Sequence, residues 1–239
     1  MLTDKIIHEL HIDWSKIDRH SYLRTISSIQ NLTHLEFPKN ITFFVGENGS
    51  GKSTLLEAIA VAYGFNPEGG TTNYSFSTYE DVSELHHALT LTKGIQRQKF
   101  GYFFRAESFF NVSTMAEEYD CYYNGKPLHA QSHGESFLSF FQEYNRKGLY
   151  IMDEPEAALS PQRQLSLLIH IAKMAEAGSQ FIIVTHSPIL LGIPDADIIS
   201  FDDGHIHRCT YEETESYHVT KMFLMHREKM LEGMLGEKN

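Results

Sequence analysis

The segment Gly46-Glu-Asn-Gly-Ser-Gly-Lys-Ser-Thr54 constrains this chain more than any other, because it matches the pattern G-x-x-x-x-G-K-[ST] in full. Ahead of it, Ile41-Thr-Phe-Phe-Val45 is a β-branched and aromatic run that predicts a buried strand. Behind it, Leu55-Leu-Glu-Ala-Ile-Ala-Val-Ala62 switches to helix-forming residues. In the order strand, glycine loop, helix, the glycines let successive backbone N–H groups curl around phosphate oxygens, and the helix N-terminus adds its partial positive charge. Lys52 is expected to reach the β and γ phosphates and Ser53 to offer a hydroxyl to Mg²⁺. Gly46, Glu47, Asn48, Gly49, Ser50, Gly51, Lys52, Ser53 and Thr54 are therefore candidate nucleotide-binding residues, with a nucleotide and Mg²⁺ the expected ligands.

The rest of the chain supplies strands that could end at the same place. Leu149-Tyr-Ile-Met152 and Phe181-Ile-Ile-Val184 read as strands, with a helix from Gln162 to Ala177 between them and a further strand at Ile198-Ile-Ser-Phe201. Pro161 suits a helix's first turn and Gly178 a helix stop. Strands alternating with helices predict an α/β fold with a mostly parallel sheet, which carries ligands beyond the carboxyl ends of its strands. Phe100-Gly-Tyr-Phe-Phe104 reads as another strand, Leu32-Thr-His-Leu-Glu-Phe37 as a half-exposed one, and Phe137 to Arg146 as a helix. Before residue 40 the pattern is otherwise faint, and the stretch from about 70 to 130 forms the less regular lobe.

Two strand ends carry chemistry. Asp153 closes its apolar strand where a carboxylate can hold Mg²⁺, and Glu154 follows where it can orient a water and accept its proton, so Glu154 is the candidate general base. An acid pair ahead of the Pro161 helix could instead serve as an N-cap. Val184-Thr-His186 brings an imidazole to the same sheet edge, where it could bond the γ-phosphate or the attacking water; a histidine here could also be structural. The other histidines, including His86-His87 and His205-x-His207, show no supporting cluster in the sequence and read as surface or loop residues rather than a metal site.

Composition narrows the setting. With 239 residues, 41% hydrophobic and 21% charged, the chain can bury a core without staples, and two cysteines, Cys121 and Cys209, are too few for a disulfide framework. A reducing cytoplasm is the expected compartment. No run approaches the roughly 18 apolar residues needed to span a bilayer, and the N-terminal residues carry acids and histidines where a signal peptide has an apolar stretch. The net charge of −11 opposes polyanion binding except at a local patch, for which Lys93, Arg97, Lys99 and Arg105 are candidates; a solvated strand and loop is the plainer reading of those four.

Taken together, these segments resemble the ABC-type ATPases, specifically their soluble branch: SMC-like and RecF-like heads of DNA-repair proteins and OLD-type stand-alone ATPases. The resemblance runs from about Leu32 to Phe201 and rests on Gly46–Thr54, Gln131-Ser-His-Gly-Glu-Ser136, Met152-Asp-Glu-Pro-Glu-Ala-Ala-Leu-Ser160 and Val184-Thr-His-Ser-Pro188, in that order. It implies one ABC-type head over residues 1–239, with a lid and signature lobe inserted at about 70–147 and a helical extension at about 211–239. It also implies an ATP-dependent head-to-tail homodimer, in which Ser132, Gly134 and Glu135 bind the γ-phosphate held by the partner. The signature departs from the family at His133, which stands where a glycine is usual. The lid strand lacks the usual glutamine at its end, and Glu107 is the expected replacement as a group near the metal.

Three functions follow from that resemblance. One is a soluble ATP hydrolase whose closure acts in DNA repair, DNA maintenance or defence, although DNA contact rests on the resemblance alone. The second is the detached ATP-binding subunit of an ABC transporter, and the third a nucleotide switch that scarcely hydrolyses. No sustained heptad pattern separates the phosphate loop from the signature, so a head without coiled-coil arms is expected. Tyr22 is an upstream aromatic that could stack on adenine. The segment Tyr217–Leu235 has apolar residues near helical spacing, either packing on the domain or offering a Met-rich docking face.

Overall fold

The computed structural model describes residues 5–71, 83–95, 100–105, 141 and 146–236. Its elements are β1 (Ile7–Ile12), β2 (His34–Glu36), β3 (Ile41–Val45), α1 (Lys52–Tyr63), α2 (Leu85–Ala88), β4 (Leu89–Lys93), β5 (Gly101–Arg105), β6 (Leu149–Asp153), α3 (Pro161–Glu176), β7 (Gln180–Val184), α4 (Pro188–Leu191), β8 (Asp197–Ser200), β9 (His207–Cys209) and α5 (Glu215–Leu235). Among the described residues the strands form a six-stranded sheet ordered β5-β6-β7-β3-β8-β9 and a three-stranded sheet ordered β2-β1-β4. In the large sheet β5 to β8 run parallel and β9 antiparallel at the edge, while the small sheet is antiparallel throughout. The fold is α/β with a mostly parallel sheet.

The large sheet is apolar on both faces, which is why its strands read as continuous hydrophobic runs. Phe44, Leu149, Ile151, Ile182 and Val184 face α1 and the small sheet. The alternate residues Phe43, Tyr150, Met152, Phe181 and Ile183 face Leu167, Ile171 and Met174 of α3. Sandwiched between two sheets, α1 buries Leu55, Leu56, Ala58, Ile59 and Ala60 around most of its circumference, whereas α3 is amphipathic and leaves Leu165 and Ile169 exposed. Ser160 caps α3 by accepting the Arg163 N–H, with Pro161 in the first turn where no amide donor is needed.

Gln180, the fully buried first residue of β7, joins the two sheets. Its Oε1 accepts the N–H groups of Ile6 and Ile7 at 3.0 and 2.8 Å, and its Nε2 donates to the Ile7 carbonyl at 2.8 Å. β1 thereby satisfies backbone groups that would otherwise be buried without partners.

The strands expected at 41–45, 149–152, 181–184 and 198–201 and the long helix after Pro161 are found within a residue of their expected bounds. β1 was not visible in the sequence, β9 lies where no strand was expected, and β4 ends at Lys93, where the sequence suggests only a solvated strand and loop. Of the helix expected from Phe137 to Arg146, only Phe141 and Arg146 are described; Phe141 is buried against Tyr150. Most apolar residues of α5 are exposed, among them Val219, Met222, Leu224, Met225, Met234 and Leu235, while Met230 and Leu231 are partly covered. No helix among the described residues is long and apolar enough to cross a membrane.

Candidate nucleotide-binding and hydrolysis site

Parallel strands deliver their carboxyl ends to one edge, and the candidate residues meet there. The loop after β3 begins at Gly46, whose φ of +138° suits glycine, and a Cβ at that position would lie 2.9 Å from Asp202 Oδ1. At Gly51, φ is +93° and a Cβ would lie 2.8 Å from Ile26 Cγ2, so the segment before β2 presses on the loop from behind. Ser28 reinforces that support by donating its hydroxyl to the Ser50 carbonyl. Glu47, Asn48 and Gly49 form the exposed tip, and the Glu47 N–H donates to Asp202 Oδ1 at 2.9 Å.

Lys52 opens α1 and is buried. Its ammonium donates to the carbonyls of Gly46 and Glu47, both at 2.7 Å, spanning the loop from inside. Burial lowers its pKa from the usual lysine value, and the carboxylates of Asp202, Glu154, Asp153 and Glu47 oppose that shift by favouring the cation. Next to it, Ser53 Oγ donates to Asp153 Oδ1 at 3.0 Å, joining the start of α1 to the end of β6. Two hard oxygen donors at that separation suit Mg²⁺, which binds carboxylate and hydroxyl oxygen. Thr54 continues the first turn of α1.

Beyond Asp153 the backbone turns through Glu154 at φ 49°, ψ 54°, the left-handed region, which costs a non-glycine residue about 1–2 kcal/mol. The turn is pinned by the Glu154 N–H, which donates to the Val184 carbonyl at 3.0 Å. His186 follows β7, and its Nε2 lies 3.8 Å from Glu154 Oε1, so the two residues expected to handle the water face each other. Both are about half exposed.

The structure adds residues to which the sequence assigned no role. Glu156 accepts the His186 N–H at 2.6 Å, tying the turn after β6 to the turn after β7. Burial pushes its carboxyl pKa up, with a smaller push from the Glu154 charge, while bonds from Thr185, its own backbone and His186 pull the other way. Asp202, two residues past β8, holds the loop tip as described. The rule that sites gather at strand ends could have found Asp202; nothing local in the sequence pairs Glu156 with His186. A cleft of about 530 Å³ beside the loop is lined by Glu47, Asn48, Gly49, Asp202, Asp203 and Glu215. Thr214, Glu215 and Val219, around the start of α5, line the adjoining space with His186.

Ser132, Gly134, Glu135 and Glu107 lie outside the described residues, as do Arg97 and Lys99. The other two members of the candidate basic patch are engaged within the chain: Arg105 pairs with Glu57 at 2.7 Å, and Lys93 lies over the Tyr63 ring at 4.5 Å. Tyr22 is exposed on a 3-10 turn over Tyr22–Thr25.

Residues 22–118 match an AAA domain, and residues 136–192 match an AAA domain whose description names an AbiEii toxin of a type IV toxin–antitoxin system. The macrolide export ATP-binding/permease protein MacB of Campylobacter jejuni is 25% identical over 197 residues, covering 71% of this chain and 30% of MacB. The chain thus spans less than a third of that relative's length. Similar solved structures include the SMC head domain from Thermotoga maritima (17% identity, TM-score 0.45, covering 86% of this chain and 98% of that one). CbiO1 from Clostridium perfringens, part of the ABC transporter complex CbiONQ, is 16% identical with a TM-score of 0.48, covering 93% of this chain and 97% of that one. The phosphate loop falls in one matched AAA segment, and Asp153, Glu154 and His186 fall in the other: the chain is a P-loop ATPase.

Proposed function

We propose that this ATPase works on Mg-ATP through Ser53, Asp153, Glu154 and His186, and that two chains close on the nucleotide to act in DNA maintenance or defence in the cytoplasm. The observation that carries this reading is the 3.0 Å bond between Ser53 and Asp153, with Glu154 one residue on and His186 3.8 Å from it. Held by Ser53 and Asp153, Mg²⁺ would neutralise charge on the phosphate oxygens. Lys52 exchanges its bonds to the Gly46 and Glu47 carbonyls for the β and γ phosphates, and the loop N–H groups with the α1 N-terminus bind their remaining oxygens. Glu154 takes the proton of the attacking water, in a position set by its fixed backbone turn, and His186 bonds the water or the γ-phosphate. In the dimer, Ser132, Gly134 and Glu135 of each chain would complete the partner's site, and Glu107 would offer a further carboxylate for Mg²⁺.

The description attached to residues 136–192, a toxin of a toxin–antitoxin system, supports defence as the process. A second reading, the ATP-binding part of a transporter, draws on the likeness to MacB. Light scattering after gel filtration of Glu154→Gln, with and without Mg-ATP and with duplex DNA in a parallel run, tests the proposal. A dimer that forms only with Mg-ATP supports closure, and DNA in that peak supports DNA maintenance. A monomer in every condition contradicts closure, and copurification of the native chain with a membrane protein favours transport.

A further inference from the structure

A second group of potential ligands lies on the small sheet, away from the phosphate loop. The antiparallel register sets His11 of β1 directly across from His34 of β2. Glu9 lies two residues along β1, so all three project from the solvent face, opposite buried Leu10 and Leu35. The two imidazoles stack with centroids 4.6 Å apart and 23° between planes. Both turn Nε2 toward one carboxylate: His34 Nε2 lies 2.9 Å from Glu9 Oε2, and His11 Nε2 lies 3.5 Å from Glu9 Oε1. Thr92 of β4 orients that carboxylate by donating its hydroxyl to Oε1 at 3.0 Å.

We propose that Glu9, His11 and His34 form a binding site for a divalent transition cation of the zinc type. Their ligand atoms all lie within 4.8 Å of one another. Tetrahedral bonds of about 2.0–2.1 Å would set ligand atoms roughly 3.3–3.4 Å apart. The observed 2.9 and 3.5 Å separations, each to a different oxygen of Glu9, lie near that spacing, and rotamer adjustment is needed to close all three side chains on one ion. Two imidazoles and one carboxylate suit zinc and its neighbours better than Mg²⁺ or Ca²⁺, which take oxygen ligands. Thr92 supplies the outer-shell bond that ligating carboxylates usually have. The His205 and His207 rings also stack and those of His86 and His87 meet at a tilt, but among the described residues only the Glu9 group has three ligands converging.

The cluster escapes a sequence reading because strand pairing, not spacing, brings His11 to His34. A bound ion would clip β1 to β2 at the base of the segment that carries Ile26 and Ser28, which support the phosphate loop. The test is calorimetric titration of Zn²⁺ into the whole chain without nucleotide, for the native protein, Glu9→Gln and the double variant His11→Ala/His34→Ala. Zinc held at other sites is common to all three and cancels. The proposal predicts one fewer Zn²⁺ per chain in the double variant. In Glu9→Gln it predicts at least the roughly 10- to 100-fold loss of affinity seen when an outer-shell partner is removed. Glu9→Gln keeps an acceptor for His34, so it carries the test should the double variant fail to fold. Equal stoichiometry and affinity across the folded chains would overturn the proposal and leave a hydrogen-bonded surface cluster.

Discussion

Glu156→Ala is the substitution that probes how the two strand ends are held together. It removes the acceptor of the His186 N–H, a 2.6 Å bond between residues 30 apart in sequence. Hydrogen bonds to charged groups contribute about 1.5–3 kcal/mol, and water can replace this one because it lies at an exposed position, so the loss should be near 1.5 kcal/mol. In a chain of this size that lowers Tm by roughly 3–6 °C. His186 is then no longer held 3.8 Å from Glu154, and kcat should fall by roughly 10- to 100-fold with ATP binding little changed. Glu156→Gln separates charge from bonding, because its amide oxygen still accepts the N–H. Burial raises the native carboxyl pKa, so that residue's contribution to stability is greatest below the unfolded value of about 4.3 and is lost as pH rises through the higher folded value. At neutral pH the expected order of stability is therefore glutamine at or above native, with alanine lowest. Steady-state phosphate release and thermal melts at pH 4.5 and 7.5 check this. An alanine variant with native kcat and Tm, or a glutamine variant as slow as alanine, would refute the reasoning.

Further outcomes follow from the same geometry. Ser53→Ala should leave the fold intact and remove most Mg²⁺-stimulated hydrolysis, which a Mg²⁺ titration of activity against native protein would show. Gln180→Leu strands the buried N–H groups of Ile6 and Ile7, at about 1–3 kcal/mol each, and should lower Tm by at least roughly 4 °C in calorimetry; an unchanged Tm would mean the two sheets are joined otherwise. The Cys209 thiol is pushed up to about 11, chiefly by burial, so its alkylation, followed by peptide mass spectrometry, should climb about tenfold per pH unit between pH 8 and 10.

What the sequence disclosed was local. The run Ile41–Val45, the glycine loop and the helix behind it follow one another without a break, and Asp153, Glu154 and His186 could be placed because apolar strands point directly at them. What stayed hidden depends on partners distant in the chain. β1 carries a register shift between Ile7 and Glu9 that breaks its alternation, so Ile7-His-Glu-Leu-His-Ile12 gives no clean period of two. Gln180 reads as an ordinary polar residue until the start of β1 is set against it, and the partner of Glu156 is a backbone N–H, which no side-chain pattern announces. Asp202 was within reach of the strand-end rule, since it follows β8 as Asp153 ends β6.

The most direct test of the central claim is a single-turnover measurement: Glu154→Gln loaded with radiolabelled ATP and Mg²⁺, with bound nucleotide and released phosphate followed together. The account predicts that the variant retains intact ATP at about one per chain while phosphate release falls by at least about 100-fold from native, the contribution expected of a general base. Release at the native rate would contradict the assignment of Glu154 as the base and, with it, the mechanism built on the end of β6.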